Sequence, residues 1–181
     1  IDLPEASFGL IGSAIGLLGL VVPRVARSMS VHLSPVQNGA VLAAVSMVGL
    51  FGLIGFYPYF GLLPMVMVFV ALMLTSFFTS HYLNLITDSD KRATVLSFKG
   101  LIFNLAYGAI GLLYAGLMRN LRAEQQMLHP AWAEPMVENE AFRSSMAWFP
   151  WYMLIVLAGL VLFCRWCLKN TTQQRWSGGD L

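Results

Sequence analysis

Charge is what this sequence has least of. Of its 181 residues, 11% are Asp, Glu, Lys or Arg and 57% are hydrophobic, and the mean hydropathy is +0.69. A soluble domain carries about 25% charged residues. A chain wetted on all sides is therefore excluded, and a bilayer is the expected solvent. The net charge of +2, without a basic stripe, leaves no footprint for nucleic acid. There is no Ser–His–Asp set, no cluster with metal-ligand spacing and no glycine-rich phosphate loop, so neither an enzyme nor a cofactor is expected. Cysteine is nearly absent: Cys164 and Cys167 form CRWC, with no second pair nearby to complete a four-ligand zinc site. They read as two small apolar residues beside a reducing compartment. No segment alternates polar and apolar residues, which excludes a membrane β-barrel.

What is there is a series of long uncharged runs. Residues 6–23 carry no charge, and residues 33–87 carry none apart from the titratable His81. The second run is too long for one span of roughly 20 residues, and it breaks at YPYFGLLP, where Pro58, Gly61 and Pro64 fall. Further apolar stretches cover 93–118 and 144–164. The pattern predicts an all-α, polytopic integral membrane helix bundle with five transmembrane helices, near 4–30, 36–57, 62–87, 91–119 and 146–168.

Orientation follows from the basic residues near the helix ends. Arg24, Arg27, Lys91, Arg92, Lys99, Arg165, Lys169 and Arg175 fall on one side, and Arg119, Arg122 and Arg143 on the other. The first side is expected to be cytoplasmic, in the plasma (cell inner) membrane. The Ile1 end then lies outside, as does a loop over 119–146 with Glu124, Glu134, Glu138 and Glu140. The charged hinge at 87–92, TDSDKR, lies inside. Lys91 and Arg92 sit at a helix start, where the macrodipole disfavours cations, and Asp88 or Asp90 is expected to cap that end. Trp148, Trp151 and Tyr152 form an aromatic belt where the last helix enters from outside, and Trp166 sits near its other end.

Polar residues at membrane depth are the candidate functional positions. On the fourth helix, at steps of about 100°, Ala93, Ser97, Gly100, Tyr107, Gly108, Gly111 and Ala115 fall within about 60° of Asn104. Val95, Ile102, Ala106, Ile110, Leu113 and Leu117 lie opposite. The small, polar face lines a path for solute or packs closely on another helix. Lys99 lies about 140° from Asn104 and is expected to snorkel to the cytoplasmic surface. The third helix carries a second stripe: Phe69, Met73, Ser76, Ser80 and Asn84. Ser76 and Ser80 are candidates for the same path, although hydroxyls in membrane helices often bond back to their own backbone. His81 is either a proton carrier or an interfacial side chain satisfied in place. Ala6, Gly9, Ser13 and Gly16 on the first helix, and Gly39, Ala43, Ser46 and Gly49 on the second, read as packing seams.

One set of residues carries a family resemblance. Leu83-Asn84, a short polar gap, Arg92-Ala93-Thr94, Leu96-Ser97 and then the glycine-bearing NLAYGAIG at 104–111 resemble the junction of helices ten and eleven in major facilitator superfamily transporters. LPEASFGLIGSAIGLLGLVVPRVA resembles that family's helix eight, and PRVARSMSVHLS is a faint version of its Gly- and Arg-rich cytoplasmic loop. The resemblance covers nearly the whole chain as helices eight to twelve. It implies a small-molecule solute moved by alternating access, with the missing N-terminal half of the same polypeptide as partner in the bilayer. It also implies a path beside Ser97, Asn104, Tyr107 and Gly108 and a cytoplasmic gate at Asp88, Asp90 and Arg92. Ile1 in place of Met, and Asp2 with Pro4 reading as a helix start, fit an expected fragment of a longer protein. The other expectation from the same residues is a complete five-helix membrane subunit that scaffolds a larger complex. Apart from Glu5 at the very start of the first, no carboxylate falls inside a predicted span, so any ion coupling belongs elsewhere.

Overall fold

The computed structural model describes residues 5–57 and 60–177. Its regular elements are six helices: α1 (Glu5–His32), α2 (Pro35–Ile54), α3 (Leu62–Ile86), α4 (Arg92–Leu128), α5 (Glu134–Met146) and α6 (Trp148–Ser177). Five stretches are long and apolar enough to cross a membrane, the last running from α5 into α6. Large apolar side chains such as Phe60, Leu105, Leu112 and Ile155 stand exposed on the outer surface. In water such a surface is untenable; in a bilayer it is what lipid requires. The chain is an all-α, multi-pass membrane protein.

The spans lie close to the expected ones for α1, α2 and α3. Asp2, Pro4 and Pro58, read above as a helix start and a break, fall outside the described residues, as does the Ala6 side chain of the first small-residue seam. Three boundaries need correction. The fourth helix runs to Leu128 instead of ending near 119, and the expected external loop is mostly helix, since α5 occupies Glu134–Met146. The 37 residues of α4 span about 55 Å, against roughly 30 Å of hydrocarbon. Arg119 and the residues after it mark where the helix leaves the bilayer, but Arg, Ala, Glu and Gln are good helix formers, so the helix continues into water. α6 likewise extends past the expected 168 to Ser177.

α3 is the hub, packing against α1, α2 and α4. α4 pairs with α5, and α6 touches α2 and α5 and meets α4 through the Phe149 ring, which stacks on Tyr114 with centroids 5.9 Å apart. Two cores result. Val22 and Ala26 of α1 are buried against Leu74 and Phe78 of α3, flanked by Leu42 and Tyr82. Met118 and Leu121 of α4 are buried against Ala141 of α5, flanked by Tyr114 and Leu117.

Local chemistry sets the joints. Ser34 caps α2: its hydroxyl accepts from the Gln37 amide at 3.3 Å, and the Gln37 side chain accepts from the Ser34 amide at 2.8 Å. This reciprocal capping box, with Pro35 just inside the helix, satisfies amides that the turn leaves exposed. Where they are joined, at the C-terminal end of α2, α2 and α3 approach closely. A Cβ on Gly49 would stand 2.8 Å from Val68 Cγ2, and one on Gly52 would stand 2.7 Å from Pro64 Cγ. The α2 seam is thus real at Gly49, whereas Gly39, and Gly9 and Gly16 of the α1 seam, meet nothing within 4 Å. The α2–α3 turn holds Phe56 at φ 44, a left-handed conformation costing about 1–2 kcal/mol for a residue with a side chain. The Arg143 guanidinium lies 5.8 Å from the Phe56 ring centroid and braces that turn from α5.

Candidate functional site

The polar face of α4 stands bare. Ser97, Asn104, Tyr107 and Gly108 are exposed, Tyr107 by 60%. Cβ atoms built on Gly100, Gly108, Gly111 and Gly116 would meet nothing within 4 Å. Asn104 has no hydrogen-bond partner among the described residues. Among the described residues no helix uses the stripe as a seam. The opposite face is hardly better covered, with Ile102, Ile110 and Leu113 exposed.

Ser76 and Ser80 come together in a different setting. The hydroxyls of α3 do bond back along the helix: Thr75 to the Ala71 carbonyl at 2.7 Å, Thr79 to Thr75 at 2.7 Å and Ser80 to Ser76 at 2.9 Å. Ser80 has a second partner, because Lys99 Nζ donates to its Oγ at 2.6 Å. The same ammonium reaches the Ser76 carbonyl at 3.4 Å and lies 5.2 Å from the Phe103 ring centroid. The expected snorkelling of Lys99 is therefore wrong. Its stem crosses sideways from α4 to α3, toward residues that lie about 9–15 Å of helix before the C-terminal end of α3. A hydroxyl, a carbonyl and an aromatic face together offer enough polar contact to hold the charge below the headgroups. No carboxylate pairs with Lys99 among the described residues.

The hinge departs from expectation as well. The turn places Lys91 in the helical region, with φ −99 and ψ −9, and no side chain caps α4. Asp88 instead meets the Lys91 ammonium at 3.7 Å, a solvent-exposed pair that contributes little. Arg92 meets neither aspartate; its Nη2 donates to the Asn84 carbonyl at 3.5 Å, tying the start of α4 to the end of α3. Asp90 is exposed.

Two features escaped sequence reasoning. Asn38 is 1% exposed, and its amide nitrogen donates to Tyr82 Oη at 2.8 Å and approaches the Met29 and Leu33 carbonyls at 3.5 Å. It clasps the C-terminal ends of α1 and α3 and the N-terminal end of α2. The signal was a lone Asn in an otherwise apolar run. Beside it His81 stacks on Phe77 at 5.8 Å and meets the edge of Tyr82 at 5.3 Å. At the opposite end of the bundle, Arg122 of α4 grips Glu138 of α5 through two contacts, of 2.6 and 2.5 Å. That hydrogen bond raises the guanidinium further above its already high ordinary pKa, so the cation persists at any working pH.

Two recesses accompany these groups. One, of about 390 Å³, lies between α1 and α3 and is lined by Gly19, Val22, Pro23, Met73, Ser76, Phe77 and Ser80. The other, of about 420 Å³, is almost wholly apolar and lies in the gap between α4 and α6, among Ile110, Tyr114, Phe149, Trp151 and Tyr152. Comparison of the chain with family models, with curated proteins and with solved structures returned no match.

Proposed function

We propose that these helices form the C-terminal half of a major-facilitator-like transporter, helices eight to twelve, which moves a small solute by alternating access. The observation that carries the reading is the bare face of α4. Asn104, Tyr107, Ser97 and Gly108 stand exposed at membrane depth with no helix of this chain upon them. An amide facing hydrocarbon without a partner costs several kcal/mol, on the order of 2–7. That face is therefore turned to water or to further protein. A second helical bundle across a water-filled path supplies both, and the N-terminal half of the same polypeptide is the partner that the motif resemblance implies. Ser76 and Ser80, joined by Lys99, add polar groups on α3. The hinge carrying Asp88, Asp90 and Arg92 is assigned the cytoplasmic gate; Arg92 links α3 to α4 there through the Asn84 carbonyl.

The test is flux. The full polypeptide, reconstituted in liposomes, is expected to take up some member of a panel of small anionic, neutral and cationic solutes above empty vesicles. Absence of flux for every solute, together with stable co-purification with other membrane subunits, would replace the transporter by a five-helix scaffold.

A further inference from the structure

We propose that the recess between α1 and α3 seats a small oxyanion that carries its own hydroxyl, a hydroxycarboxylate or a protonated phosphate, attracted by the Lys99 ammonium, with Ser76 donating to the anion and the Gly19 carbonyl accepting from the hydroxyl. The proposal rests on the transporter reading and specifies the charge of its solute.

Three observations converge. Lys99 is a cation inside the membrane with no carboxylate partner among the described residues. Its contacts to Ser80 Oγ at 2.6 Å and the Ser76 carbonyl at 3.4 Å use two of its three N–H groups and leave its charge uncompensated. Neutral contacts solvate a charge but do not cancel its field, and low-dielectric walls spread that field over the neighbouring cavity.

The second observation is the cavity itself. Ser76 and Ser80, the two residues that Lys99 touches, also line the recess of about 390 Å³, so the ammonium lies behind its wall, one hydrogen bond from Ser80. Ser80 Oγ is committed to the Ser76 carbonyl and to Lys99, whereas the Ser76 hydroxyl has no partner among the described residues and is exposed. It is available to donate to an anion beside the ammonium.

The third observation comes from the opposite wall, where Pro23 sits inside α1. Proline has no N–H, so the Gly19 carbonyl lacks its helical donor. Gly19 and Pro23 both line this recess. A bare carbonyl at membrane depth requires a donor from water or from a ligand. The recess thus presents a hydroxyl on one side, with the ammonium just behind it, and an acceptor on the other. That pattern matches a small acid bearing a hydroxyl, such as a hydroxycarboxylate or a protonated phosphate. The depth of Ser76, about 15 Å of helix from the inner end of α3, favours a soluble anion over a lipid headgroup.

Charged thiol reagents of nearly equal size test the site without knowledge of the solute. In the full polypeptide, with Cys164 and Cys167 replaced by Ser, a Ser76→Cys probe is treated with a sulfonate-bearing and with a trimethylammonium-bearing methanethiosulfonate. The anionic reagent is expected to react faster than the cationic one, relative to their rates with free thiol. Lys99→Gln should reduce that preference about tenfold, the lower end of what focused charge does for encounter rates, and Lys99→Arg should retain it. Lactate or inorganic phosphate should slow the anionic reagent, whereas choline should not. A preference unchanged by Lys99→Gln, or a Ser76→Cys thiol unreactive to both reagents, overturns the anion site. Flux tells the two ideas apart: uptake confined to neutral or cationic solutes would sink the anion site and leave the transporter standing. Anion-selective labelling without flux of any solute would do the reverse.

Discussion

Asn38 and Tyr82 carry more of the fold than their place in the sequence suggests. Tyr82→Phe leaves a buried amide without its 2.8 Å partner, which costs about 1–3 kcal/mol. Asn38→Leu removes the other half and strands the phenol. Combining the two replaces a polar pair with an apolar one, which can be nearly neutral. The expected outcome in thermal unfolding in detergent is that each single variant loses stability and the double variant recovers most of the loss; additive losses would mean that the two residues do not act as a pair. Gly49 is the other residue-scale test. Gly49→Leu would drive a side chain into Val68 and the Pro64 backbone, and overpacking of this kind costs about 1–3 kcal/mol. The same change at Gly39, where nothing lies within 4 Å, should leave unfolding unchanged. At the hinge, a single bond from Arg92 to a carbonyl is one that lysine can also make. Arg92→Ala is therefore the informative change: it should slow flux through the full polypeptide, while Arg92→Lys should keep it near wild type.

At the scale of elements, the sequence made the membrane spans legible because hydrocarbon imposes a length and a polarity that few other environments demand. The centres of α1, α2 and α3 followed directly from their uncharged runs. α5 was not legible, since its net polarity resembles a loop. Its buried residues Val137, Ala141 and Ser145 do recur every four positions, a helical stripe that only α4 extending into water makes useful. The direction of Lys99 was equally hidden, because a helical wheel gives angles on one helix and not the distance to its neighbour. The polar stripe on α4 was legible as a stripe, and what faces it was not. Orientation can be checked on the same elements. A cysteine at Glu138, on the outer hairpin, should be labelled by an impermeant reagent in intact cells, whereas one at Asp90 should react only after lysis. The opposite pattern would invert the topology. Glu138→Gln should weaken the grip on Arg122 and make the hairpin near His129 and Trp132 more readily cut by protease.

At the scale of the whole molecule, α4 and α6 are bound to the α1–α2–α3 group by few contacts, and an apolar gap of about 420 Å³ separates them. Such an arrangement leaves broad surfaces for lipid and for a second bundle. On the proposed function, residues 1–181 expressed alone should insert in the membrane yet give no flux above empty liposomes, because alternating access would need a second half. Solute flux through the isolated segment would refute the need for a partner. The most direct measurement of the central claim places single cysteines in the full polypeptide at Asn104, Tyr107 and Gly108, and at Ile102, Ala106 and Leu113 opposite, and follows their reaction with a small charged thiol reagent. The first three are expected to react and the second three to stay silent, with transported solute protecting Asn104→Cys or Tyr107→Cys. If all six remain unreactive in both inward- and outward-open states, the stripe is covered by protein and borders no aqueous path.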